Sequence, residues 1–422
     1  MTKLGVFLLA AACMQAADID GKWRLNLIRF GEEFAPARVE LKTDGNKVTG
    51  TLNELKLAGT YDNDRLEIVA TRPNGDAFGT LKGKKEGDVL KGSVHLRDED
   101  VDWIARRIVA PAATNPQTHT FEPTAFHRLF SGTIEPVLRI NPGDTVKTWT
   151  VDAGGRDANN KPRSLGGNPE TGPFYIEGAM PGDTLAVKFN RIRLNRDSAG
   201  SGNRIASDAL GAGYIRDAKY DDKFDSGWKL DREAGVGMLA KPSEHLKNFK
   251  VKLKPMLGCV AVAPADKQGF RTGWLGPWGG NLDYNGITEG VTVYLPVAQA
   301  GALLFVGDGH AAQGDGELTG DALETSMDVE FTVNLISGES TGMPRAEDAE
   351  YIMSLGVGNS LQDAMKNATT QLARWIEKDY KLTANESAIV LGTSIRYDIA
   401  EIVDPQVHIV AKLRKEVLAQ LK

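Results

Sequence analysis

Residues 301–317 read Gly301-Ala302-Leu303-Leu304-Phe305-Val306-Gly307-Asp308-Gly309-His310-Ala311-Ala312-Gln313-Gly314-Asp315-Gly316-Glu317. The apolar run 302–306 has the length of a buried strand. Gly307, Gly309, Gly314 and Gly316 follow it, so the strand is expected to end there and give way to a tight loop. That loop carries Asp308, His310, Asp315 and Glu317. Carboxylates and an imidazole on one constrained segment suit a divalent cation or a general acid–base pair. An acidic, solvated turn is the plainer alternative; the density of ionisable groups favours function over it.

Outward from this stretch, the chain has 422 residues and a formal net charge of −6, with 41% hydrophobic and 25% charged residues. This is the composition of a soluble protein with room for two or three domains. Its 46 glycines point to a turn-rich, β-rich fold. An acidic balance without any basic run argues against a nucleic-acid partner. Lys3 is the only charge before Asp18, and residues 4–12 form an apolar core too short to span a bilayer, followed by small residues ending in Ala16-Ala17. Residues 1–17 are therefore expected to be an export signal, with the mature protein secreted or periplasmic and without a transmembrane helix. Residues 10–13 also loosely resemble a lipoprotein cleavage box, which would give a lipid anchor through Cys13. Once the signal is removed, Cys259 is the remaining cysteine and no internal disulfide can form. Its apolar setting, Leu257-Gly258-Cys259-Val260, reads as core rather than nucleophile.

Residues 18–107 are expected to form a small antiparallel β domain. Alternating runs such as Trp23-Arg24-Leu25-Asn26-Leu27 and Arg65-Leu66-Glu67-Ile68-Val69 are separated by hairpin signals: Asp44-Gly45-Asn46, Asp62-Asn63-Asp64 and Asn74-Gly75-Asp76. Short strands at this spacing suggest a meander curling into a small barrel. In pattern it resembles small lipocalin-like modules of exported bacterial proteins. Residues 108–120 read as an extended linker. In the second domain, 121–422, Asn141-Pro142-Gly143-Asp144 and Met180-Pro181-Gly182-Asp183 each turn between strands. Residues 195–247 lack any period and are expected to be irregular, as a lid or an insertion. Two helices come last. Leu361, Ala364, Met365, Ala368, Leu372, Trp375 and Ile376 share one face behind a Ser360–Asp363 cap, and a second helix starts at Thr383 with Glu386, burying Ile389, Val390 and Leu391. The expected class is α+β and β-rich: a barrel-like N-terminal domain, a sheet core and C-terminal helices.

Several motifs together resemble the acetamidase/formamidase family: NPETGPFYIEGAMPGD at 168–183, GGNLD at 279–283, LPVAQAGALLFVGDGHAAQGDGE at 295–317 and IVDP at 402–405. Their order and rough spacing match from about residue 121 onward. The N-terminal β domain and the export signal depart from the usual pattern, and 195–247 is longer and less familiar. The resemblance implies hydrolysis of a small linear amide such as formamide or acetamide to a carboxylic acid and ammonia, on a β-rich α+β fold, by a homo-oligomer. Neither the Glu-Lys-Cys nor the Ser-Ser-Lys arrangement of other amidases is present.

Amide hydrolysis needs a polarised carbonyl, an activated water and a proton for the leaving nitrogen. A divalent ion, with Zn²⁺ the first candidate, would meet the first two needs. Asp308, His310 and Asp283 are the expected ligands, with Asp315 or Glu177 completing the set. Glu317 or Glu177 is the candidate base, and Asn281 or a loop N–H would bind the amide oxygen. His127 is a substrate contact or a core residue. Plainer roles exist: Asn281 and Asp283 beside glycines can cap turns, and Glu177 can pair with an arginine. Two other functions stay open, a non-catalytic binding protein on this scaffold and an amidase for a larger amide.

Overall fold

The computed structural model describes residues 19–96, 98–108 and 115–421. The expected export signal and Cys13 lie outside them, as does the middle of the expected linker. The chain divides into two compact units near residue 110. Among the described residues no helix is long and apolar enough to cross a membrane.

The first unit is a closed barrel of eight antiparallel strands running from Gly21–Arg29 to Glu99–Arg107, each paired with the next. Period-two alternation puts Trp23, Leu41, Val48, Ile68, Leu90 and Trp103 inside. The barrel closes where Trp23 to Ile28 pair with Arg107 to Asp102. The Asn63-Asp64 turn has φ of 47° and 62°, the left-handed pair that a two-residue hairpin requires and that Asn and Asp tolerate.

The second unit packs two sheets face to face. A six-stranded sheet holds Leu138–Ile140, Thr171–Ile176, Leu304–His310, Met256–Ala261, Gly279–Asn281 and Leu275–Gly276, in that order. A nine-stranded sheet runs from Arg396–Glu401 to Thr118–Thr120, with Thr184–Leu194 and Met327–Ile336 in its middle. Their shared core includes Phe174, Leu257, Val260 and Val306 from the first sheet and Leu185, Val187, Phe189, Val329 and Phe331 from the second. At roughly 1.5–3 kcal/mol for each large side chain, this layer holds the unit without a disulfide.

Three sequence expectations need correction. Thr118–Thr120 falls in the expected linker but is already an edge strand, pairing in parallel with Thr145–Thr150. Residues 195–247 are irregular only in part, chiefly over 201–226: Ser198–Gly200, Gly227–Asp231 and Val236–Leu239 join Val251–Lys252 in a four-stranded sheet over Trp228, Leu230, Leu239 and Leu253. Strands this short leave almost no periodic signal. The helices form as expected, Leu361–Tyr380 capped by Ser360 and Ala384–Ser394 opened by a Thr383–Glu386 capping box. In the second, however, Leu391 is buried while Ile389 is 69% exposed.

Both Pro-Gly-Asp turns end in a buried aspartate that ties up backbone N–H groups. Asp144 accepts from Asn141 and Gln117 at 2.9 and 2.8 Å and meets His119 Nε2 at 2.9 Å. Burial alone would raise its pKa, but these donors outweigh it and the net shift is downward. A carboxylate with a lowered folded pKa stabilises fully above its unfolded value, near 3.9, and that contribution is lost as the pH falls through the folded value. Asp144→Ala is expected to cost about 2–3 kcal/mol at neutral pH, read by thermal unfolding. The gap to the parent should narrow as the pH drops below about 4; equal melting temperatures at pH 7 would contradict this.

Candidate active site

The Leu304–His310 strand does not stop at Val306, as its glycines suggested; it stays in the sheet to His310. Neighbours occupy the space those glycines leave. A Cβ on Gly307 would overlap Glu170 Oε2, and one on Gly309 would collide with Met327. On the adjacent strand, Leu257 pairs with Gly309 and Cys259 with Gly307, which sets Gly258 opposite Asp308. Gly258 is the floor of a buried cluster. A Cβ there would overlap Asp283 Oδ1 and come within 2.7 Å of Asp308 Oδ2 and 3.1 Å of His310 Cε1. Asp283 is held in place by its own N–H and that of Leu282, both donating to Gly258 O, at 3.1 and 2.8 Å. Asp283, Asp308 and Glu317 have φ of 37°, 54° and 45°. Left-handed backbone costs a non-glycine residue about 1–2 kcal/mol, and strain held in place by its surroundings is a mark of a functional site.

His310 is the hub. Its Nε2 lies 3.1 Å from Glu324 Oε1, 3.4 Å from Asp308 Oδ1 and 4.0 Å from Asp283 Oδ1. Two donor sets share it: Asp283, His310 and Glu317, and Asp308, His310 and Glu324, each with its ligand atoms within 4.8 Å of one another. Asp283 Oδ1, Asp308 Oδ1, His310 Nε2 and Glu324 Oε2 are buried and without a hydrogen-bond partner among the described residues. The tautomer follows from Gln313. Its Nε2 donates to the carbonyls of Asp283 and Ala400, so its Oε1, 2.9 Å from His310 Nδ1, must accept. Nδ1 therefore carries a proton, and a neutral His310 aims its Nε2 lone pair at the carboxylates.

Electrostatics favour a second proton on His310 unless a cation takes its place beside the carboxylates. Burial, then Glu317 and Asp308, push Asp283 well above the usual carboxylate range. Burial likewise lifts Glu317 well up, Glu324 to about 7 and Asp404 to about 6. For His310 burial pulls downward, but Glu324 and Asp308 override it and raise the imidazole well above its ordinary value. The cluster holds more negative charge than it can keep without a positive partner, whether protons or a cation.

Surrounding residues brace it. Asn281 donates to Asp283 Oδ2 and, at 2.6 Å, to Asp404 Oδ2, and its Oδ1 accepts from Asn168 at 2.9 Å. Asn168 also donates to Asp308 Oδ2 at 3.1 Å. Glu170 is fully buried beside Cys259, and burial, then Asp308, push it far up, towards the neutral acid. The cleft above, about 250 Å³, is lined by Asn168, Asn281, Asp308, Glu317, Glu324 and Asp404 at its base. Larger hollows on the barrel, about 830 and 520 Å³, contain neither donor set.

Of the residues singled out from sequence, Asp283, Asp308, His310, Glu317 and Asn281 come together. Glu177 does not: it is bidentately paired with Arg139, at 2.6 and 3.2 Å, outside the cluster. Asp315 is exposed and accepts from Asn285 at 2.8 Å. His127 pairs through its backbone with Glu170 and does not line the cleft. Sequence reasoning missed Glu324, which reaches His310 through an isolated bridge and has no motif around it. It also missed Asp404, Asn168 and Glu170, although these stood inside quoted motifs.

With this geometry in view, comparison with known proteins is informative. A family profile described as the Acetamidase/Formamidase family matches residues 114–275 and 266–413. The chain is 26% identical over 347 residues to an acetamidase of Mycolicibacterium smegmatis, spanning 64% of this chain and 85% of that one. A formamidase of Methylophilus methylotrophus is 25% identical over 260 residues, 50% of this chain and 64% of the relative. Among solved structures, an acetamidase from Yersinia enterocolitica superposes with a TM-score of 0.62 at 29% identity, covering 73% of this chain and 95% of that one. A predicted acetamidase/formamidase from Thermoanaerobacter tengcongensis gives a TM-score of 0.62 at 25% identity, covering 73% and 99%.

Beside the cluster, Glu401 accepts from Val403 and Asp404 N–H at 3.2 and 3.0 Å. Burial and the Asp404 charge nonetheless push it up to about 8. A carboxyl raised in the folded state binds its proton more tightly there than in the unfolded chain. Its ionisation therefore erodes stability progressively from about pH 4.3 up to the folded value. Glu401→Gln is expected to be more stable than the parent at pH 8 by about 2–4 kcal/mol, with the gap closing towards pH 4.5. Calorimetric melts in chelator across that range decide it; a gap that does not change with pH would contradict the assignment.

Proposed function

Because the chain belongs to the acetamidase/formamidase family, we propose that it hydrolyses the C–N bond of a small linear amide at the His310 cluster, releasing a carboxylate and ammonia. The observation that carries this reading is the set of buried polar atoms on Asp283, Asp308, His310 and Glu324 that have no hydrogen-bond partner among the described residues; Asp308 and Glu324 of this set line the cleft.

These residues fit a divalent ion. Two oxygen–oxygen–imidazole donor sets around a histidine of defined tautomer suit Zn²⁺ or another first-row cation. Bound there, such an ion would supply Lewis acidity towards the carbonyl and lower the pKa of a water. The protein's own groups have distinct tasks. Asp283, Asp308 and His310 would hold the positive charge. Glu324, 3.1 Å from His310 Nε2, and Glu317, grouped with Asp283 and His310, are the carboxylates placed to take a proton from water and return it to the departing nitrogen. Asn168, whose amide donates to Asp308 and Asn281, and Gln313, which braces His310, keep these groups in register. Asn281 has its amide committed to Asp283, Asp404 and Asn168, which supports a bracing role over direct contact with substrate.

The apolar stretch 4–12 behind Lys3 supports export, placing this activity in the periplasm or outside the cell, and the family resemblance supports a homo-oligomer.

Asp308→Ala and His310→Ala are each expected to lower kcat on formamide and acetamide by roughly 10³-fold or more, measured as ammonia release. Chelation should abolish turnover and added divalent metal restore it. Full activity after chelation would remove the metal from this reading. A parent protein that releases no ammonia from either amide would favour a binding role.

A further inference from the structure

The rim of the cleft differs in character from its base. Asp308, Glu317, Asp321, Glu324 and Asp404 all line it, yet so does one cation, Arg271. The guanidinium of Arg271 makes neither an ion pair nor a hydrogen bond among the described residues, and it is exposed. An arginine beside so many acids that pairs with none of them is available to a ligand. Its position is well defined. Gly269–Arg271 pairs with Leu129–Ser131, and the Arg271–Trp274 turn is closed by a 2.9 Å backbone bond. Thr272 Oγ1 ties that turn to Gly167 O on the cleft wall at 2.9 Å. Asn281 N donates to Trp274 O at 3.2 Å, which links the turn to the strand carrying the base of the site. The Trp274 indole, 39% exposed, adds an apolar surface beside the guanidinium.

Volume adds a second argument. Acetamide has four heavy atoms and, at roughly 10–15 Å³ for each water-sized group, takes up about a quarter or less of the 250 Å³ cleft. Room remains for several further atoms in the cleft that Arg271 lines.

We propose that the substrate is an amide bearing a carboxylate, an ω-amido acid, with the amide over the His310 cluster and the carboxylate on Arg271 beside Trp274. This rests on the amidase reading above and adds the substrate class. Arginine's planar fork matches a carboxylate bidentately, which a neutral polar group of equal size cannot reproduce.

The test compares kcat/KM of the full chain for formamide, acetamide, succinamate, its neutral counterpart levulinamide and the cationic β-alaninamide, by ammonia release. Succinamate is expected to exceed levulinamide by roughly 10- to 100-fold, as one charge-assisted bidentate contact provides. The preference should weaken with added salt, because the contact is exposed. In Arg271→Ala the ratio should fall to near unity, and in Arg271→Glu β-alaninamide should overtake succinamate. Thermal melts of both variants confirm folding, since an exposed, unpaired arginine contributes little to stability. Formamide and acetamide turnover with no preference for succinamate, or a preference that survives Arg271→Ala, overturns this proposal and leaves the amidase reading intact. No turnover of any amide overturns both.

Discussion

Mutual repulsion among buried carboxylates is the constraint around which the second unit is built. Asp283, Asp308, Glu317, Glu324 and Asp404 converge on one imidazole, and most of them are lifted above their ordinary range by burial and by one another. Left alone, such a group would separate or protonate. Holding it together requires backbone that cannot relax, and the middle of a two-sheet sandwich provides that backbone. The strand carrying Asp308 and His310 has a hydrogen-bonded strand on each side and the shared apolar core beneath it.

Glycine is what makes the convergence sterically possible. Gly258 has no side chain because the space is filled by Asp283, Asp308 and His310; Gly307 has none because Glu170 lies there. Both are strand residues in a sheet core, where glycine normally weakens the structure. The surrounding packing offsets that cost, as it does the left-handed φ of three carboxylate-bearing residues. At the cluster, local rules give way to the packing around it.

The base and the rim of this cleft differ in character. The base collects negative charge and a single oriented lone pair, which suits a cation and a water. The rim carries one uncommitted arginine and an indole on a turn tied to the same strands. The barrel, a separate compact unit, has its own closed core around Trp23 and Trp103 and contributes neither donor set to this site.

Much of this was legible without coordinates. Alternation and Asx-Gly turns defined the barrel strands, because a strand half-buried on one face must alternate and a tight hairpin must have residues that tolerate positive φ. Cap residues Ser360 and Thr383 marked both helix starts, because a helix's first N–H groups need acceptors. The 301–317 stretch located Asp308, His310 and Glu317. What local pattern could not reveal was which acids meet. Glu177 stood in a strong motif and went to Arg139, whereas Glu324 stood in none and lies 3.1 Å from His310. Nor could it reveal that Gly307 and Gly309 extend a strand rather than break one. Periodicity and turn chemistry are properties of neighbours along the chain, and they determined the elements; the site depends on side chains more than a hundred residues apart sharing one buried point, and only the packing of the two sheets decided which ones do.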